Sequence, residues 1–404
     1  MTRPRNHGDT ATPVVSATAP GPSRRVLAPL YAAGFTTAFG AHSIAAGLGA
    51  ESGGIGLGLL TFGILLALYD VAEVILKPLF GSLSDKVGAK PVIVAGLAAF
   101  ALASLLGTLG TTPLILGLAR LGQGAAASAF SPASSAAVAR LAGPAAAGSY
   151  FGKYGSWKGL GYVLGPLLGA ALIWIGGFPA LFLAMVIISA TAAVWTWVAM
   201  PHVPVLPRRR YTVADLARQS TERSFLIPTL ALAAATGALG AAVGFLPLMG
   251  ASMQLPLAGS MAVVAILALS STLTQPLVGK LRDQGRMSPR AGMSVGLALV
   301  AVGIVALALA PLPATLYAAA VLIGCGIGIT TPLGFAHLAA TTPPERMGRT
   351  MGAADLGREI GDAGGPLIVG AIATAISLAA GLGALAILVA VAAVCCAVLL
   401  RPRS

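Results

Sequence analysis

Charged residues are scarce in this chain: they make up 9% of its 404 residues, whereas 57% are hydrophobic. A soluble domain carries roughly 25% charged residues, because its surface must face water. A chain of this length with so few charges cannot cover a water-facing surface, so lipid must be the solvent for much of it. The shortage excludes an ordinary soluble protein.

Other absences narrow the function. Three cysteines lie in apolar runs, and Cys395 and Cys396 are adjacent, so we expect small buried hydrophobes rather than a disulfide. No G-x-x-x-x-G-K-[ST] or H-E-x-x-H sequence occurs, and no G-x-S-x-G presents a nucleophile, since its single match, Gly292-Met-Ser294-Val-Gly296, lies within an apolar run. These observations argue against an ATP-driven pump and an intramembrane enzyme. The sequence contains no loop that resembles a selectivity filter, which argues against a channel. We expect no enzyme activity, no cofactor and no metal site.

The net charge of +13 does not indicate nucleic-acid binding, because the basic residues lie at the ends of apolar runs rather than on one face with aromatics. Twelve such runs are long enough to cross a bilayer as helices, which predicts an all-α membrane protein. The predicted spans are 26–48, 55–80, 91–110, 113–138, 147–175, 179–200, 225–249, 258–278, 291–310, 314–338, 348–376 and 379–400.

The basic residues predict the orientation. With the N-terminus inside, all of the 25 except Lys77, Arg120, Lys158 and Arg358 fall in cytoplasmic segments, as the positive-inside rule requires. Both termini are therefore predicted to be cytoplasmic, in a multi-pass plasma or inner-membrane protein. The predicted segments are a disordered tail at 1–25, six-helix bundles at 26–200 and 225–400, a cytoplasmic linker at 201–224 and a second tail at 401–404.

The two bundles are predicted to be repeats. Lys77-Pro-Leu-Phe-Gly-Ser-Leu-Ser-Asp85 recurs 198 positions later as Gln275-Pro-Leu-Val-Gly-Lys-Leu-Arg-Asp283, and Gly165-Pro166 recurs 200 positions later as Gly365-Pro366. With six helices each, both halves start on the same side, so the repeats are parallel.

Three segments carry a family resemblance. Gly81-Ser-Leu-Ser-Asp85-Lys86-Val-Gly88-Ala-Lys90-Pro91 resembles the conserved 2–3 loop of the major facilitator superfamily, and Leu116-x-x-x-Arg120-x-x-Gln123-Gly124 is similar to its helix 4 signature. Gly161-x-x-x-Gly165-Pro166-x-x-Gly169 resembles the helix 5 motif of its twelve-helix, proton-coupled drug and metabolite exporters. The resemblance implies the major facilitator fold.

The 2–3 loop is the predicted cytoplasmic gate. Asp85 is expected to cap a helix N-terminus, which the resemblance places on helix 11, while Lys86 and Lys90 pair with carboxylates or headgroups. Alternatively, these residues are only positive-inside anchors. Asp283 is expected to form a weaker second latch, and Gly81 and Gly88 to permit close approach and a tight turn.

In helix 5, Gly161, Gly165 and Gly169 are expected to let a neighbouring helix approach closely, and Pro166 to bend the helix. The resemblance adds a role in preventing leakage through the cavity; tight packing alone is the alternative.

Charges inside the predicted spans are the most informative feature, because each costs roughly 2.5–3.5 kcal/mol at the bilayer centre unless it is paired or hydrated. The resemblance places helix 2 beside helix 11, so we predict that Asp70 or Glu73 pairs with Arg358. Pairing within each helix, as Glu73–Lys77 and Arg358–Asp362, is the alternative. Asp70 is the preferred proton carrier, and the predicted proton-coupling set is Asp70, Glu73, Arg120 and Arg358.

Further polar residues are predicted to line the cavity, with local roles in each helix as the alternative. Arg120 could instead form a structural salt bridge, and His42 could be satisfied locally. The cavity candidates are His42, Gln123, Ser128, Ser131, Lys158, Thr330, Thr331, Glu359 and Asp362.

These features predict a proton-coupled exporter of a small organic compound that works by alternating access. The alternatives are proton-coupled uptake of a metabolite, with the same residues, and a membrane receptor or scaffold. The expected partners are a small-molecule substrate, protons and the lipid bilayer, with no nucleic acid, and the protein is expected to be a monomer.

Overall fold

The computed structural model describes residues 24–51, 59–201 and 221–400, nearly all of them helical. The tail 401–404, most of the tail 1–25 and most of the linker 201–224 lie outside the described residues. The helices, numbered in chain order, are α1 Arg24–Glu51, α2 Leu59–Val87, α3 Ala89–Gly107, the run Pro113–Ala199 that contains α4 to α6, α7 Arg223–Ser252, α8 Leu257–Asp283, α9 Pro289–Leu309, α10 Pro313–Thr341, α11 Met347–Ala375 and α12 Leu378–Leu399, with a short 3-10 helix at Pro344–Arg346.

Glycines divide the long run into three helices. Gly143 has φ 66° and Gly177 has φ 68°, a left-handed backbone that favours glycine, and Gly176 is also non-helical. The resulting helices are α4 at 113–142, α5 at 144–175 and α6 at 178–199. Pro144 opens α5, and Pro179 lies in the first turn of α6. At these positions the missing N–H of a proline breaks no hydrogen bond of the helix. The twelve predicted helices are confirmed, with ends within a few residues except where α2 and α8 run on.

The outer surface of the bundle suits lipid. Seven helical runs in the described part are long and apolar enough to cross a membrane, and the run that contains α4 to α6 counts once among them. Large apolar side chains such as Trp174, Leu309 and Val398 are exposed on this surface. The fold is thus that of a multi-pass membrane protein.

Each half has its own apolar core, the first built mainly by α1–α6 and the second by α7–α12. The halves repeat the same packing, since α1 lies on α5 as α7 lies on α11. Two pairs of helices join the halves: α2 packs on α11, and α5 packs on α8. The fold is therefore two parallel six-helix repeats, as predicted.

The 2–3 segment is helical for longer than expected. Residues 81–87, predicted as part of a loop, continue α2 to Val87, and the chain turns only at Gly88, where φ is 95°. The helix can continue because this turn packs against the other half: Gly81 faces the backbone of Gly348 and Gly352. We call the end of the bundle that carries Lys86, Arg140, Lys280 and Arg346 the basic end.

Candidate functional site

A polar cavity of about 150 Å³ lies between the halves. Five helices contribute its charged and aromatic polar groups, because α1, α2, α4 and α5 of the first half meet α11 of the second. The lining includes His42, Asp70, Glu73, Arg120, Lys158, Tyr162, Glu359 and Asp362. Six of these are charged residues that the sequence predicted to belong to the site, so the fold gathers them around one cavity.

Lys77 joins the two halves beside this cavity. Its Nζ lies 2.8 Å from Oε1 of Glu73, one turn earlier in α2, and donates a hydrogen bond of 2.7 Å to Oε1 of Glu359 in α11. The Lys77 side chain is 1% exposed and that of Glu73 is 4% exposed. One buried ammonium therefore contacts a carboxylate from each half, so each of these three intramembrane charges has a partner of opposite sign.

The predicted pairing of Arg358 is wrong. Its Nη1 lies 3.4 Å from Oδ1 of Asp355, three residues earlier in α11, and among the described residues it forms no ion pair with Asp70, Glu73 or Asp362. A helical i, i+3 neighbour is already within reach, so no movement across the interface is needed. Across the interface, the partner of α2 is instead Glu359, through Lys77.

Asp70 and Asp362 line the same cavity and form no ion pair among the described residues. Asp70 is exposed to this space, whereas Glu73 is buried. A carboxyl group that faces a cavity without a fixed counter-charge can exchange a proton or bind a cationic group. The role of Asp70 as the proton carrier stays a prediction.

Arg120 is buried and held by neutral groups. Its guanidinium lies 4.3 Å from the centre of the Tyr69 ring, and Nη1 donates a hydrogen bond of 3.3 Å to the Gly40 carbonyl. Nε makes no hydrogen bond within the described part of the chain. The structural salt bridge considered as an alternative is not observed there, so Arg120 retains positive charge to offer to the cavity.

His42 is satisfied locally and also faces the cavity. Its Nδ1 lies 3.1 Å from the Ala38 carbonyl, and its ring meets that of Tyr162 edge-on at 4.4 Å. Both possibilities considered for His42 are therefore compatible with its position.

Several predicted cavity residues face elsewhere. Gln123 is fully buried and donates to Ser104 of α3 and Met185 of α6. It lies only about 60° around α4 from Arg120, and this rotation turns it from the cavity towards its own half. Ser128 donates to the carbonyl of Ala125 in its own helix.

Neither Ser131 nor Thr330 reaches the cavity. Ser131 is buried within the first half, and its hydroxyl makes no hydrogen bond among the described residues. Thr330 donates to the Gly326 carbonyl and faces Gly296 of α9. Thr331, about 100° further around α10, lines a smaller neighbouring cavity.

At the basic end, Asp85 caps the N-terminus of α11. Oδ1 accepts a hydrogen bond of 2.8 Å from the Gly348 N–H, and Oδ2 accepts one of 2.9 Å from that of Arg349. Arg140 of α4 forms an ion pair with Asp85 and donates to the Pro344 carbonyl at 3.2 Å. A carboxylate at a helix N-terminus is favourable because the end of the helix is positive. Burial raises the pKa of Asp85, and these donors oppose that shift.

Asp283 forms the same latch on the other side. Its two oxygens accept hydrogen bonds of 2.9 and 2.6 Å from the Gly148 and Ser149 N–H groups, at the N-terminus of α5. Arg282 pairs with Asp283 at 3.0 Å and donates to the Pro144 carbonyl at 2.7 Å. The second latch thus makes the same kinds of contact as the first, with an arginine of α8 in place of one from α4. That it is the weaker of the two stays a prediction.

The lysines of the gate do not pair with carboxylates in the described structure. Lys86 is exposed, and Nζ of Lys90 lies 5.6 Å from the centre of the Trp197 ring in α6. Lys90 is buried beside this indole, which a cation–π contact stabilises. Binding of Lys86 to headgroups stays a prediction.

The glycines of α5 form two contact surfaces. Gly161, Gly165 and Gly169 lie against α1, where a Cβ at Gly161 would meet the Phe35 carbonyl oxygen at 2.8 Å. Gly155 and four residues later Gly159 lie against α8 instead. The predicted close approach is confirmed, and α5 is packed between a helix of its own half and one of the other; Pro166 lies within this helix.

Three contributors were not in the predicted site: Lys77, Arg140 and Tyr162. Lys77 was considered only as a partner of Glu73, because sequence does not give distances between halves. In the sequence, Arg140 could not be distinguished from the other basic residues that indicate the membrane orientation. Tyr162 had one available signal, since it aligns with Asp362 at the 200-residue repeat offset.

Comparisons with known proteins support the same family. The chain is 31% identical over 193 residues to a triacylglyceride transporter of Mycolicibacterium smegmatis, covering 44% of this chain and 34% of that protein. It is 31% identical over 138 residues to the multidrug resistance protein MdtG of Erwinia billingiae (34% of each chain). It is 36% identical over 111 residues to the class H tetracycline resistance protein of Pasteurella multocida (28% of each). The matches span about a third of these relatives.

Solved structures share the fold. The human organic anion transporter MFSD10 superposes with a TM-score of 0.78 at 18% identity, covering 93% of this chain and 100% of that one. The fucose:proton symporter FucP of E. coli superposes with a TM-score of 0.73 at 15% identity, covering 92% and 97%. The Major Facilitator Superfamily model matches residues 27–286 and 230–404. This chain therefore belongs to the Major Facilitator Superfamily.

Proposed function

We propose that this protein is a secondary active transporter that exports a small organic compound in exchange for protons. The observation that carries the proposal is Lys77, whose ammonium holds a carboxylate of each half beside a cavity with unpaired Asp70 and Asp362. A charge network shared by both halves links the protonation state of the cavity to the relative position of the halves.

The coupling follows from electrostatics. Adding a proton to Glu359 removes the charge that attracts Lys77, and so weakens the contact of α2 with α11. A proton on Asp70 changes the total charge of the cavity and therefore its affinity for a charged solute. Arg120 faces the same cavity, and its positive charge can attract the Asp70 carboxylate once the proton has left.

We further propose that the basic end faces the cytoplasm, as the positive-inside rule predicts, with both termini on that side. Two aspartate latches hold the halves together at this end, which corresponds to a conformation closed to the cytoplasm. Alternating access then requires that both latches open together. The five predicted segments, with six-helix bundles at 26–200 and 225–400, form one transport unit, and a monomer suffices.

The direction of transport is supported by the relatives named for multidrug and tetracycline resistance, proteins that match this chain over about a third of its length or less. Uptake with protons is the second candidate, and a receptor or scaffold without transport is the third. The FucP symporter shares the fold but not enough sequence to decide between them.

Membrane vesicles of known orientation test the proposal. Inverted vesicles from an overproducing strain receive a proton gradient that is acid inside, and right-side-out vesicles receive one that is acid outside. Both are tested with a panel of compounds that includes tetracycline and ethidium. Export by exchange predicts gradient-driven accumulation of at least one compound in inverted vesicles, abolished by an uncoupler. Accumulation only in right-side-out vesicles would establish uptake, and no transport of any compound would favour a receptor or scaffold.

A further inference from the structure

Lys158 is a buried lysine that no carboxylate contacts in the described structure, although Asp355 and Glu359 act on its charge from a longer distance. Its side chain lies on α5 and is 8% exposed, and it forms no ion pair or hydrogen bond among the described residues. An uncompensated buried charge costs several kcal/mol, so proteins keep one where a ligand supplies the opposite charge.

The repeat shows why Lys158 is unpaired. Arg358 is the equivalent residue in the second half, 200 positions later, and it pairs with Asp355, three residues earlier. Three residues before Lys158, the chain has Gly155, which packs directly against Gln275 of α8. Because a side chain at this position would collide with Gln275, the tight contact between halves excludes a local acid for Lys158.

Lys158 also lies where two cavities meet. It lines the polar cavity together with Asp70 and Asp362, and it lines a second cavity of about 50 Å³ towards α8 and α10. Most of the surface of this second space is apolar, and the rings of Phe151 and Phe335 stack there at 5.4 Å; the paired Asp355 and Arg358 also line it. Tyr162 lines both cavities.

From this arrangement we infer that the solute is a zwitterionic amphiphile whose anionic group binds Lys158. Its cationic group binds the unpaired carboxylates of the polar cavity, and its apolar or aromatic part enters the second cavity. A solute with both charges satisfies unpaired groups of both signs and adds no net charge to the membrane interior, whereas an anion alone would be repelled by Asp70 and Asp362. This inference rests on the proposed function and names its substrate class.

Binding to the purified full-length protein in detergent tests the inference without any proton gradient. Three probes share a phenyl ring: phenethylamine, 3-phenylpropanoate and phenylalanine. We expect phenylalanine to stabilise the protein against heat most strongly. Lys158→Met is expected to weaken phenylalanine binding about tenfold or more, since one charged contact is lost, and to leave phenethylamine binding nearly unchanged.

Two control variants make the result specific. Lys153→Met removes an exposed lysine five residues earlier in α5 and is expected to change the binding of none of the probes. Lys158→Arg keeps the positive charge and is expected to retain the preference for phenylalanine, even if Lys158→Met folds poorly.

The inference is overturned if phenylalanine has no advantage over the singly charged probes in the parent protein, or if Lys158→Met weakens all probes equally. The latter would mean that Lys158 only supports the fold, for example as an intermittent partner of Asp355. Because no gradient is used, failure here leaves the vesicle test of proton exchange untouched, and failure of the vesicle test leaves probe binding untouched.

Discussion

Lys77 and Gln275 occupy equivalent positions in the two repeats but build different interfaces. Lys77 pairs with Glu73 one turn earlier, and Gln275 makes the matching contact by donating to Ser271 at 3.4 Å. At these equivalent positions the α2–α11 contact is therefore charged, whereas the α5–α8 contact is neutral and lined by glycine. Of these two contacts, only the charged one can respond directly to a proton.

This difference predicts how two matched substitutions behave. Lys77→Met leaves Glu73 and Glu359 without a buried counter-charge and is expected to destabilise the protein by about 3–5 kcal/mol. The deficit is expected to shrink as the pH falls, because protonation neutralises the two carboxylates. Thermal unfolding in detergent across a pH series measures it.

Gln275→Met is the control, since it removes only neutral hydrogen bonding at the equivalent position and is expected to cost about 0.5–1.5 kcal/mol. If both variants lose the same stability at every pH, the charge of Lys77 does not stabilise Glu73 and Glu359.

The sequence identifies which side chains are charged within the membrane, but not all their partners. Glu73–Lys77 is predictable from helical spacing, because residues four apart face each other. Lys77–Glu359 depends on the relative height of α2 and α11, and Arg358 had acids available at both i−3 and i+4. Such choices are decided by side-chain direction and packing, which spacing does not contain.

At the level of elements, the two latches show how repeats preserve a contact while changing its parts. Asp85 and Asp283 accept two N–H bonds each from equivalent helix N-termini, yet Arg140 comes from another helix and Arg282 from the adjacent position. The second copy of the motif matches the first poorly in sequence because its arginine occupies a different position in the chain. A motif comparison thus underestimates a contact that geometry retains.

The latches predict a paired experiment. Asp85→Asn and Asp283→Asn each leave a helix N-terminus and an arginine without their anion, so each is expected to shift the equilibrium towards opening of the basic end by about two- to thirtyfold. Spin labels on Lys86 and Glu345, which are exposed and lie in different halves, report this opening as a longer distance.

Because the two contacts are equivalent, the variants are expected to have similar effects, and their combination a larger one. A clear effect of Asp85→Asn with none of Asp283→Asn would contradict the equivalence of the latches. Unchanged distances in both would show that neither contact holds the basic end closed.

For the whole molecule, twelve helices and two parallel repeats were predictable because a bilayer imposes a fixed span length and a charge asymmetry. The two glycine contact surfaces of α5 were only partly predictable. Gly161, Gly165 and Gly169 follow the family motif, but the contact of Gly155 with Gln275 depends on how the halves are docked. Packing within each half decided that Gln123 and Thr330 face away from the cavity.

The central claim is that a carboxyl group in the cavity couples proton movement to export, and Asp70→Asn tests it most directly. The measurement is gradient-driven accumulation in inverted vesicles of a compound that the parent protein transports, with Glu345→Gln, an exposed acid outside the cavity, as the control. The account predicts that Asp70→Asn loses about 90% or more of this accumulation, while Glu345→Gln retains it. Such a tenfold loss corresponds to an increase of about 1.4 kcal/mol in the barrier to transport. Full gradient-driven accumulation by Asp70→Asn would contradict it.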